Sequence, residues 1–76
     1  MRGAEKIILY PNPAFSQLHI LGFQNQETIE IYNLTGERVL KRISFGIDDL
    51  INVSGFPPGI YCVVIGGRFF QRVIKI

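Results

Sequence analysis

Tryptophan is absent from this chain, cysteine and histidine occur once each, and only 18 % of the residues are charged. A lone Cys62 excludes an internal disulfide, and with no second Cys or His at ligand spacing it makes no zinc site. Eight basic against six acidic residues, a net charge of +2, form no dense patch of the kind that nucleic-acid binding needs. No apolar run approaches the roughly 20 residues of a membrane helix, and the opening MRGAEKIILYP lacks the long apolar core of a secretory signal. Residues 1–5 read as the tail of a linker or a cloning remnant, and residues 6–76 as one domain taken from a longer protein.

What the chain does have is apolar surface, with 47 % hydrophobic residues in 76. A domain this small hides only about 60–65 % of the surface its unfolded chain exposes. An exposed apolar face is therefore expected, and such faces mark interaction sites.

Pro, Gly, Asn and Asp punctuate segments rich in Ile, Val, Phe and Tyr, the pattern of short antiparallel strands. The spacing predicts strands over Lys6–Tyr10, Gln17–Phe23, Thr28–Asn33, Glu37–Ile43, Leu50–Val53, Ile60–Ile65 and Phe69–Ile76. Pro11 and Pro13 stop the first, because neither can donate a ladder hydrogen bond. Asn33-Leu34-Thr35-Gly36 suits a tight turn with Asn first and Gly last, and Gly66-Gly67 suits a two-residue hairpin turn. Seven short strands are most economically buried as two packed sheets, so the expected fold is an all-β, seven-stranded antiparallel β-sandwich, immunoglobulin-like. Within Ile60–Ile65, Tyr61, Val63 and Ile65 alternate with Ile60, Cys62 and Val64; both faces are apolar, so the outer one calls for cover by a loop, a second copy or a partner.

Candidates for chemistry are few. His19 has no nucleophile beside it and reads as an outward strand residue. Asp48-Asp49 falls in a predicted loop over Phe45–Asp49 and lacks the pattern of a calcium loop. Asn33-Leu34-Thr35 and Asn52-Val53-Ser54 match the glycosylation sequon, but both sit at strand ends where Asn serves backbone geometry. Without a nucleophile, base and metal set, no enzyme activity and no cofactor are expected.

Four segments together carry a resemblance: YPNP at Tyr10–Pro13, IEIYNLTGERV at Ile29–Val39, INVSGFPPGIYCVVI at Ile51–Ile65 and QRVIKI at Gln71–Ile76. In this order they resemble the type A C-terminal sorting domain of the type IX secretion system of Bacteroidetes. The resemblance implies a non-catalytic signal at the C-terminus of a larger exported protein. Such a signal passes through the periplasm, is directed through an outer-membrane translocon with the help of a shuttle protein, and is usually cut off by a surface sortase-like protease. The family's strongest motifs fall on Pro58, Gly59 and Tyr61 and on Val73, Ile74 and Lys75, with its further basic position at Arg68 or Arg72 and Ile76 at the end.

From the residues themselves, Lys75 between Ile74 and Ile76 reads as a solvent-reaching cation on a terminal strand paired on one side only, open to strand addition by a partner. A weak homodimer through the apolar outer face or an edge strand is a further expectation. The alternative reading is an immunoglobulin-like accessory or carbohydrate-binding module of a larger secreted protein.

Overall fold

Alternating side chains fix which face of each strand is inward, and register then fixes which residues stand together. The computed structural model describes residues 7–22, 26–44 and 48–76. Its seven strands are β1 (Ile8–Tyr10), β2 (Gln17–Leu21), β3 (Glu27–Tyr32), β4 (Arg38–Ser44), β5 (Asp48–Asn52), β6 (Gly59–Ile65) and β7 (Phe69–Lys75). They form a three-stranded sheet in the order β1-β2-β5 and a four-stranded sheet in the order β4-β3-β6-β7, all adjacent strands antiparallel. The β-sandwich expected from the sequence is thus the fold observed.

Leu9, Leu18, Ile20 and Ile51 of the smaller sheet meet Ile29, Ile31, Val63, Ile65 and Val73 of the larger one in a single core. Tyr61 joins it, so of the two alternating sets on β6 the inward one is Tyr61, Val63 and Ile65. Gly66 and Gly67, at φ 64° and 69°, are the central residues of a turn closed by the Arg68 amide donating to Ile65 O at 3.2 Å, a conformation that favours glycine at both places; the connection from Ile65 to Phe69 is three residues long rather than the expected two.

Strand limits differ from expectation where tertiary pairing overrides local preference. Asp48 and Asp49, expected in a loop, instead open β5, held by pairing with Leu21 and Ile20 of β2. Asp49 shares the inward side with Ile20 at the rim and reaches across to Arg42 on β4, Oδ2 to Nε 3.5 Å, linking the two sheets along one side. Lys6, Phe23 and residues 45–47, which the sequence placed at strand ends or in a loop, lie outside the described residues, as do residues 1–5. On β4, Val39 is the extra residue of a bulge, because Leu40 faces Ile31 while Arg38 faces Tyr32.

Candidate functional site

Successive antiparallel connections alternate between the two ends of the sandwich. Residues 11–16, 33–37 and 53–58 and Ile76 therefore gather at one pole, fixed by Gln17 opposite Asn52, Tyr32 opposite Arg38, and Gly59 opposite Lys75. Ile7 and the Gly66-Gly67 turn lie at the other pole. All four sequence segments that carried the resemblance pass through or end at the first pole, and they meet there in pairs.

The first pair is the Pro-Asn-Pro segment and the last strand. Asn12 Nδ2 donates to the Arg72 carbonyl at 3.1 Å, and its Oδ1 accepts from the Ile74 amide at 2.9 Å. Ala14 continues the contact through its backbone, its N–H donating to Ile74 O at 2.7 Å and its carbonyl accepting from Ile76 N–H at 2.9 Å. This edge of β7 is therefore covered, which corrects the expectation of a terminal strand paired on one side only. An asparagine side chain supplies the bonds because Pro11 and Pro13 on either side have no N–H to give.

Lys75 requires a second correction, since it is inward and only 7 % exposed rather than a solvent-reaching cation. It stands opposite Gly59 on the core side of the sheet, its Nζ donating to Ile76 O at 2.9 Å and lying 5.6 Å from the centre of the Phe15 ring. Phe15 and Asn12 are site residues that sequence reasoning did not find. The available signal was a polar residue between two prolines, next to an aromatic, in a segment that packing alone does not explain.

The second pair is the Asn33–Gly36 turn and the approach to β6. Asn33 Oδ1 accepts from the Thr35 and Glu37 amides at 3.1 and 2.9 Å, and Asn52 Oδ1 from the Ser54 amide at 2.9 Å. Both asparagines thus serve backbone geometry, as expected. A groove of about 220 Å³ runs between this turn and Pro58-Gly59-Ile60, with Leu34, 76 % exposed, on its rim. Gly59 sits at φ +157°, and a Cβ added there would meet nothing within 4 Å, so its side of the groove is open.

Beneath the groove the Tyr61 hydroxyl donates to Pro57 O at 2.6 Å, and its ring packs on Phe56 with centroids 5.2 Å apart. A tyrosine at the start of the sixth strand bonded back to the preceding corner is the tyrosine corner of immunoglobulin-type sandwiches. The cavity inside this pole is about 10 Å³, the scale of a single water. Arg72, Ile74 and Ile76 face outward, whereas Tyr61, Val73 and Lys75 face the core. Arg68 lies at the other pole, its Nη2 2.8 Å from Glu27 Oε2, which leaves Arg72 as the basic residue beside the end of β7.

The chain is a small two-sheet module that gathers loops, a groove and a covered terminal edge at one pole. Residues 8–76 match the model of the secretion system C-terminal sorting domain, and the chain belongs to that family. Among solved structures it is similar in fold to PorZ, described as an essential bacterial surface component of the type-IX secretion system of Porphyromonas gingivalis. The TM-score is 0.74 at 21 % identity, over 92 % of this chain and 11 % of that one. No curated protein matches the chain. Sorting domains of this family are non-catalytic signals, and membership implies export of a larger protein to the cell surface or into the medium.

Proposed function

We propose that this domain directs an attached cargo protein from the periplasm through the outer-membrane type IX translocon, with the loop-bearing pole gripped by the translocon and its shuttle protein. A surface sortase-like protease then removes the domain ahead of β1, within or beyond residues 1–5. The observation that carries this reading is the gathering of Tyr10–Pro13, Asn33–Gly36, Pro58–Tyr61 and Arg72–Ile76 at one pole, while the chain enters β1 from the opposite pole. A cargo joined there leaves the gripped surface clear.

Pro58, Gly59, Arg72, Ile74 and Ile76 are exposed and make the direct contacts in this proposal. Tyr61, Val73 and Lys75 act from inside, holding the loops and the last strand in place. The sequence expectation grouped all eight as partner-recognition residues; this proposal divides them by exposure.

The test is a secreted reporter fused ahead of this chain in a host with a working type IX system. Arg72→Glu with Ile74→Ser should lower surface reporter several-fold while leaving the melting curve of the domain in place. Arg68→Ala, at the far pole, should leave export intact. Full export of the Arg72/Ile74 variant rejects the assignment.

A further inference from the structure

A sandwich of two open sheets has four edge strands, and three of them are short or already engaged along part of their length. β1 is three residues long. On β5 the Asp49 carboxylate accepts from the Leu50 amide at 2.8 Å, occupying an edge donor. On β7 the edge is taken by Asn12 and Ala14. The fourth, β4, is seven residues long, and among the described residues no strand pairs with its outer side.

The direction of its free groups follows from β3. Thr28 O accepts from Gly66 N–H on the β6 side at 2.8 Å. Backbone groups alternate along a strand, so Ile29 and Ile31 address β4 while Thr28 and Glu30 address β6. Arg42 and Leu40, which face Ile29 and Ile31, are then bonded to β3, and the N–H and C=O of Lys41 and Ile43 turn to the open edge.

Charge decides what fits there. β4 carries Arg38, Lys41 and Arg42 and no acid. Arg38 is paired with Glu30 at 3.1 Å and Arg42 with Asp49 at 3.5 Å, while Lys41 has no ion-pair partner among the described residues. Leu40, on the inner side, is only partly buried against the core. A second copy of β4 would set like charges against one another, which destabilises a strand pair. A strand with acids on its outer side and apolar residues on its inner side would satisfy Lys41 and complete the burial of Leu40.

We infer that the open edge of β4 is a strand-addition site for an extended segment of a partner protein that alternates apolar and acidic residues. The lysine and the bulge, which guard this edge against the chain's own copies, leave an acidic strand welcome. The site lies on the side of the sandwich rather than at the pole assigned to sorting, so it stands or falls independently of that assignment.

The probe is a capped decapeptide of alternating valine and glutamate, titrated into the isotope-labelled 76-residue chain, with a valine–lysine decapeptide for comparison. The valine–glutamate peptide should shift the Lys41 and Ile43 amides and slow their exchange with solvent. Lys41→Glu should weaken it about fivefold and reverse the preference between the peptides. Ile43→Pro removes one outward N–H without touching the ladder and should abolish binding. Equal binding of both peptides, shifts centred elsewhere, no binding at millimolar peptide, or β4 shifts that follow protein concentration alone would each overturn the inference.

Discussion

Asn12 and Ile74, 62 residues apart, are joined by a hydrogen bond from the Ile74 amide to the asparagine Oδ1 at 2.9 Å. With the Asn12 Nδ2 bond to Arg72 O, one side chain performs for the last strand what a neighbouring strand would do. The covered edge keeps β7 from pairing freely with other chains, the usual hazard of a terminal strand.

Asn12→Ala should therefore loosen the end of β7 without unfolding the domain. The bonds are exposed, so the loss in global stability should be about 0.5–1.5 kcal/mol. Amide exchange at Ile74 should quicken, while Ile31 and Val63 in the middle of the sheet keep their protection. Unchanged exchange at Ile74 would show that the asparagine does not hold this edge.

Tyr61 offers a sharper separation of polar and apolar contributions. Tyr61→Phe deletes only the bond to Pro57 O and leaves that carbonyl seeking water, at a cost of about 1–2 kcal/mol in urea unfolding. Tyr61→Ala also empties ring volume against Phe56 and should cost about 3–5 kcal/mol. Equal losses in the two variants would mean that the ring contributes little.

Much of this was legible in the sequence because it is local. Alternation of Ile29 and Ile31, the Asn33–Gly36 turn and the glycine pair at Gly66-Gly67 each depend on neighbours a few residues away. The clasp and the burial of Lys75 were not legible, because they join Asn12, Ala14 and Phe15 to residues about sixty positions later, and no local signal states which distant edge a polar side chain will meet. Asp48 and Asp49 misled for a related reason. Their turn preference is real, yet pairing with β2 and the Arg42 contact outweigh it. The resemblance named segments that meet at one pole, but it carried no sign of which members face inward.

Deleting Val73–Ile76 should unfold or strongly destabilise the domain. It removes buried Val73 and Lys75 and every partner of the Asn12 and Ala14 clasp except Arg72 O. The loss of export on such a deletion would then report instability as well as a missing signal. Lys75→Met, which keeps the buried stem and drops the charge, should stay within about 1.5 kcal/mol of the parent in thermal unfolding. A larger loss would show that the contacts of Nζ with Ile76 O and Phe15, rather than the stem, hold this end.

The last prediction concerns the outer face of β6 and β7. Val64, expected to need cover from outside, is only 7 % exposed, hidden between Glu30 and Phe70 of the same chain. Phe70 itself is 64 % exposed, and Ile60 and Ile74 stand opposite each other further along this face, also exposed. Covering about 400 Å² of apolar area contributes roughly 10 kcal/mol. Association costs about 4–15 kcal/mol, so the balance falls near a weak dimer rather than a tight one. Light scattering over a dilution series should show a monomer–dimer equilibrium, and Phe70→Asp, which places a charge on the most exposed apolar residue of this face without touching the core, should leave only monomer. A monomer at every concentration of the unmodified chain would reject self-association through this face, and dimerisation unaltered by Phe70→Asp would move it to another surface.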